Sequence, residues 1–109
     1  CPPCRAEMPG FQATYDRLKD QVVLFGLDVG PFFGLGSNEQ GVALLEELGV
    51  SYPTGTTDDP QVIVSYQIYA MPSTLFMKPS GKIFTAIAGP LSPAEFAELT
   101  EELIAASKL

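Results

Sequence analysis

Apolar residues Met8, Phe11, Tyr15 and Leu18 recur at steps of three and four, which predicts a helix with one buried stripe running from residue 1 to about residue 20. Cys1 can act as its N-cap, with Pro2 at the first helical position, where a missing N–H costs nothing. Pro9 removes the amide that would reach Arg5 and predicts a kink. The run at 22–27 (VVLFGL) is apolar without alternation, the pattern of a parallel interior strand covered on both faces. Residues 29–38 hold Gly and Pro at loop density and carry Phe32 and Phe33, which either fill local gaps or rim a surface for client proteins. Ser37 and Gln40 form a capping box that opens a second helix through Val42, Leu45 and Leu48 to a stop at Gly49. A short extended piece at 50–54 follows, and then a helical turn from Asp59-Pro60 to about Tyr66.

Strands at 73–77 and 82–88 flank the turn Lys78-Pro79-Ser80-Gly81 and predict a hairpin. Ser92-Pro93-Ala94-Glu95 is a second capping box, with proline just inside, launching a final helix with Phe96, Leu99 and Leu103 on one face. This order predicts an α/β fold, a mixed β-sheet flanked by helices. A helix beginning at residue 1 and packed on a sheet is ordinarily delivered by a preceding strand, and this chain carries none.

A length of 109 residues with 46% hydrophobic composition fits a single domain, 1–109. Thirteen acidic residues against 6 basic give a net charge of -7, which disfavours nucleic acid or an anionic membrane surface as a partner. No apolar run approaches the roughly 20 residues needed to span a bilayer. The chain does not begin with Met, so the expectation is an N-terminally truncated domain whose leader or tether lies outside it.

The chain has 2 cysteines and no histidine. Cys1 and Cys4 stand one helical turn apart, so both sulfurs share a face and can open and close a small ring. The helix N-terminus favours a thiolate, lowering the pKa from about 8.5 toward about 7 or below, and Cys1 is at that end. Cys1 is then the attacking sulfur and Cys4 the resolving one. Pro2 and Pro3 offer no N–H, and no histidine favours the thiolate further. That points to a reductant, with a potential nearer about -270 mV than about -120 mV. Zinc needs more Cys or His, haem attachment needs a His where Arg5 stands, and a thiol metal carrier is disfavoured by the same absence. A lipidated Cys1 and a purely structural short-range disulfide are the other readings.

CPPCRAEMP, VVLFGLDV, YQIYAMPSTLFMKPSGKI and AGPLSPAEFAELTEEL together resemble thioredoxin-fold thiol-disulfide oxidoreductases of the TlpA/ResA-like branch, over nearly the whole chain. Residues 38–58 match the helix-strand insertion that distinguishes this branch. The resemblance implies a thioredoxin-like fold and reduction of protein disulfides by dithiol exchange, as in cytochrome c maturation. It also implies an upstream thiol reductant, an extracytoplasmic location, and no metal or organic cofactor beyond the Cys1–Cys4 disulfide. Pro72 becomes the cis proline facing that disulfide, and Met71 the residue whose backbone pairs with an extended substrate. Glu7 matches the acidic position three residues after the second cysteine, which assists proton transfer at Cys4; the alternative is a solvated helix carboxylate. The strand, the Trp and the buried acid that such proteins place before the first cysteine are absent here. The edge so exposed offers a route to self-association. A redox-inactive module that binds partners on the same platform is the alternative function.

Overall fold

The computed structural model describes residues 1–108. Helix α1 (Pro2–Leu18) leads to strand β1 (Gly26–Asp28), a 3-10 turn (Gly30–Phe33), α2 (Asn38–Glu47) and β2 (Thr54–Thr56). Then come α3 (Gln61–Ser65), β3 (Ser73–Met77), β4 (Ile83–Ala88) and α4 (Pro93–Ser107). β1 runs parallel to β2, with Gly26 opposite Thr54, and β3 runs antiparallel to β4, with Ser73 opposite Ala88. The two pairs form separate two-stranded sheets, so among the described residues β1 and β3 each have one unpaired edge. The fold is α/β as expected, with its parallel and antiparallel pairings divided between two small sheets.

Both predicted capping boxes are present. Ser37 accepts from the Gln40 amide while the Gln40 side chain accepts from the Ser37 amide, and Ser92 and Glu95 do the same at α4. Gly49 follows α2 at φ +66°, a left-handed conformation that glycine adopts without a Cβ penalty.

Two expectations need correction. The run at 22–27 is not a strand covered on both faces: only Gly26–Asp28 is strand, Val23 is 86% exposed and Phe25 57%. Val22 and Leu24 pack against the core while their neighbours face outward, because among the described residues β1 pairs with β2 alone and one face of this segment is covered. The extended piece at 50–54 forms its strand later, at Thr54–Thr56. Pro53 has no N–H for a ladder, and its carbonyl instead accepts from the Gly26 amide at 2.9 Å, which sets the register.

Helix α1 runs continuously through Pro9 and buries Cys4, Glu7, Gly10, Phe11, Thr14 and Leu18. The predicted stripe was turned slightly, since Met8 and Tyr15 are half-buried at its margin. Phe11 stacks on Phe96 of α4 with ring centroids 3.9 Å apart, and Phe76 of β3 meets Phe96 at 5.9 Å. Tyr52, Leu91 and Leu103 complete this core. α1 therefore lies against α4 above the hairpin. The closest approach is at Gly10, where a Cβ would stand 2.9 Å from Pro93 Cγ and 3.1 Å from Pro93 Cα.

Candidate active site

The cysteines stand at the open end of α1. Cys1 is the N-cap, with prolines in the first turn and no acidic residue there to oppose the positive helix end. Cys1 and Cys4 are joined as a disulfide, with Cα atoms 5.3 Å apart. Cys4 is 7% exposed while Cys1 is more open, so a partner sulfur approaching from solvent meets Cys1 first. Pro2 and Pro3 have no N–H to offer the Cys1 sulfur, and the Arg5 amide is spent on the Cys1 carbonyl at 3.1 Å. The Arg5 side chain pairs with Glu47 at 2.6 Å, half-exposed on both sides, and so contributes little.

One turn below Cys4, on the same face, Glu7 is 7% exposed. The spacing puts the Cβ atoms of Cys4 and Glu7 about 5–6 Å apart. Glu7 is therefore not the solvated carboxylate that the alternative reading required. Burial raises its pKa, and a hydrogen bond donated by the Leu91 amide to Oε2, 3.0 Å long, partly opposes the rise. Tyr52, buried beside the same helix, has its phenol pushed up to about 12, first by burial and then by the Glu7 charge. It stays neutral across the physiological range.

The Met71–Pro72 bond is cis, and Pro72 is buried at the start of β3. The Pro72 carbonyl accepts from the Gly89 amide at 2.8 Å. Among the described residues, the N–H and C=O of Met71 make no backbone hydrogen bond. Gly89 and Leu91 are two residues apart, so the 89–91 connector holds Glu7 and Pro72 to anchor points within about 7 Å of each other. The predicted site residues thus fall in two groups, Cys1, Cys4 and Glu7 on α1 and Met71 and Pro72 ahead of β3, tied together by this connector. Among the described residues, no group of three or more His, Cys, Asp or Glu side chains gathers as a metal site. Phe32 is 39% exposed on the 3-10 turn, and Phe33 is half-buried.

Sequence reasoning missed two members of this neighbourhood, Tyr52 and the Leu91 amide. A signal for Leu91 was available: it is the apolar residue directly before a capping box, the position that packs against the fourth helical residue, here Phe96. Nothing in the local pattern distinguished Tyr52.

The arrangement of a cysteine pair opening a helix, with a cis proline ahead of an antiparallel hairpin, defines a thioredoxin-like fold. Solved structures agree. That of StoA from Bacillus subtilis matches 92% of this chain and 74% of its own, with a TM-score of 0.76 and 25% identity. That of a thioredoxin-like superfamily protein matches 95% and 73%, with a TM-score of 0.77 at 23% identity.

Among curated proteins, the chain is 27% identical over 107 residues to sporulation thiol-disulfide oxidoreductase A of Bacillus subtilis, covering 94% of this chain and 61% of that protein. It is 30% identical over 95 residues to thiol-disulfide oxidoreductase ResA of Oceanobacillus iheyensis, covering 84% and 46%. The chain spans about half the length of the curated relatives it matches. No protein-family model matches it. By fold the chain is thioredoxin-like, and by sequence it is similar to thiol-disulfide oxidoreductases named ResA.

Proposed function

We propose that this chain is a thiol-disulfide oxidoreductase that reduces protein disulfides by dithiol exchange. The observation that carries the reading is the Cys1–Cys4 disulfide at the mouth of α1, with Cys4 buried and Cys1 the more accessible sulfur. Its relatives named thiol-disulfide oxidoreductases support it.

In the reduced form, the Cys1 thiolate attacks one sulfur of a client disulfide. A Cys1–client bond forms, and the other client sulfur leaves as a thiolate. Cys4 gives up its proton, with Glu7 as the acceptor, and its thiolate attacks the Cys1 sulfur. The Cys1–Cys4 bond closes and the second client thiolate leaves. Two electrons have passed from the protein dithiol to the client disulfide, and an upstream thiol reductant restores the dithiol.

Met71 supplies backbone groups to an extended client segment, with Pro72 keeping them unpaired within the chain. The exchange takes place outside the cytoplasm, where client disulfides form and persist. The unpaired edges of β1 and β3 give a second copy a place to add a strand.

Reduction of insulin in the presence of dithiothreitol tests the proposal. Turnover that disappears in Cys1→Ser supports it, whereas a wild-type chain that binds clients without accelerating reduction refutes it in favour of a binding module.

A further inference from the structure

Among the described residues, no cation pairs with the buried Glu7 carboxyl. The ion pairs among the described residues are Arg5–Glu47 and Arg17–Glu101, both at the surface. The donor that reaches Glu7 is the Leu91 main-chain amide, at 3.0 Å. That amide is unusually well fixed. Two residues upstream, the Gly89 amide donates to the Pro72 carbonyl at 2.8 Å, and Gly89 takes φ +102°, a conformation that side chains oppose. Directly downstream, Ser92 is locked in the α4 capping box with Glu95. The Leu91 side chain is itself 5% exposed, in the same core cluster as Phe96.

We propose that the Leu91 main-chain amide is a positioning group for Glu7, holding the carboxyl below Cys4 in the orientation and charge state that let it exchange a proton with that sulfur. The proposal rests on the dithiol-exchange reading for its chemical purpose and on the hydrogen-bonded connector for its geometry. A hydrogen bond to an ion is stronger than one to a neutral acceptor, so the amide favours the ionised carboxylate while burial favours the acid. Without the amide, Glu7 would take up its proton more tightly and release it to solvent less readily. The titratable groups facing Glu7 are Tyr52, which stays neutral, and Cys4, which does not titrate in the disulfide. Glu7 is then the group whose ionisation this connector reports.

The test is an amide NMR titration of the oxidised chain, followed alongside Glu7→Gln. The expected result is a Leu91 amide proton that moves downfield as the Glu7 carboxyl ionises, with the same midpoint, and that stays still in Glu7→Gln. A Leu91 amide indifferent to the Glu7 titration overturns the proposal. As a second arm, replacing Leu91 by its α-hydroxy acid exchanges the N–H for an ester oxygen and keeps the side chain. The Glu7 midpoint should then rise by about one to two pH units. An unchanged midpoint in a folded ester chain also overturns the proposal. Both readouts are taken on the oxidised protein without turnover, so they stand or fall separately from the insulin assay.

Discussion

Gly10→Ala tests how closely the active-site helix is seated. The new Cβ would lie 2.9 Å from Pro93 Cγ, 3.0 Å from its Cβ and 3.1 Å from its Cα. None of these atoms ends a flexible side chain. The proline ring is rigid, and its backbone is held by the Ser92–Glu95 capping box. Overpacking of this kind costs about 1–3 kcal/mol, and a contact that includes backbone belongs in the upper half of that range. Alanine recovers about 1 kcal/mol of helix propensity relative to glycine. The net expectation is a loss of about 1–2 kcal/mol, or a fall in Tm of about 4–8 °C at roughly 4 °C per kcal/mol.

Urea and thermal unfolding of the oxidised chain measure this loss. In Gly10→Ala/Pro93→Ala the ring is gone, and the double variant should recover part of the loss. A single variant as stable as the wild type, or more stable, would refute the close approach of α1 and α4. The same displacement would also lengthen the Glu7–Leu91 bond, because Leu91 lies two residues before Pro93.

Two further outcomes follow from buried polar groups. Burial raises Glu7 above the ordinary glutamate value of about 4.3, so from that pH up to its raised value the native state binds more protons than the unfolded state. Stability therefore falls as pH rises through that window. Glu7→Gln should remove the fall, gaining Tm on the wild type between pH 4 and pH 8; a difference that is flat or shrinks with pH contradicts this. Among the described residues the buried Thr74 hydroxyl has no hydrogen-bond partner, so Thr74→Val should unfold at the same urea concentration or be more stable by up to about 1 kcal/mol. A loss above about 1 kcal/mol would mean that the hydroxyl is satisfied.

Elements whose termini carry their own chemistry were legible in the sequence. The capping boxes at Ser37 and Ser92, the proline at the start of α1 and the Lys78–Gly81 turn act within four residues, and the structure has each where it was expected. What depended on distant partners was not legible. Residues 22–27 have the composition of a doubly covered strand, but coverage depends on neighbouring strands, and Val23 and Phe25 are left exposed. Glu7 follows the same logic in reverse. By local pattern alone a charged residue on a helix reads as solvated, and only the resemblance singled Glu7 out; its burial goes with the 89–91 connector, where Leu91 supplies a hydrogen bond.

The cysteine pair was legible because its chemistry is local, and the whole mechanism turns on Cys1 attacking while Cys4 resolves. Mass spectrometry distinguishes the two sulfurs after reduced Cys4→Ser and reduced Cys1→Ser chains are mixed separately with a model peptide disulfide. A peptide adduct should form rapidly on Cys1 in the Cys4→Ser chain, with little or none on Cys4 in the Cys1→Ser chain. Adducts forming equally fast at both positions, or faster at Cys4, would contradict that mechanism.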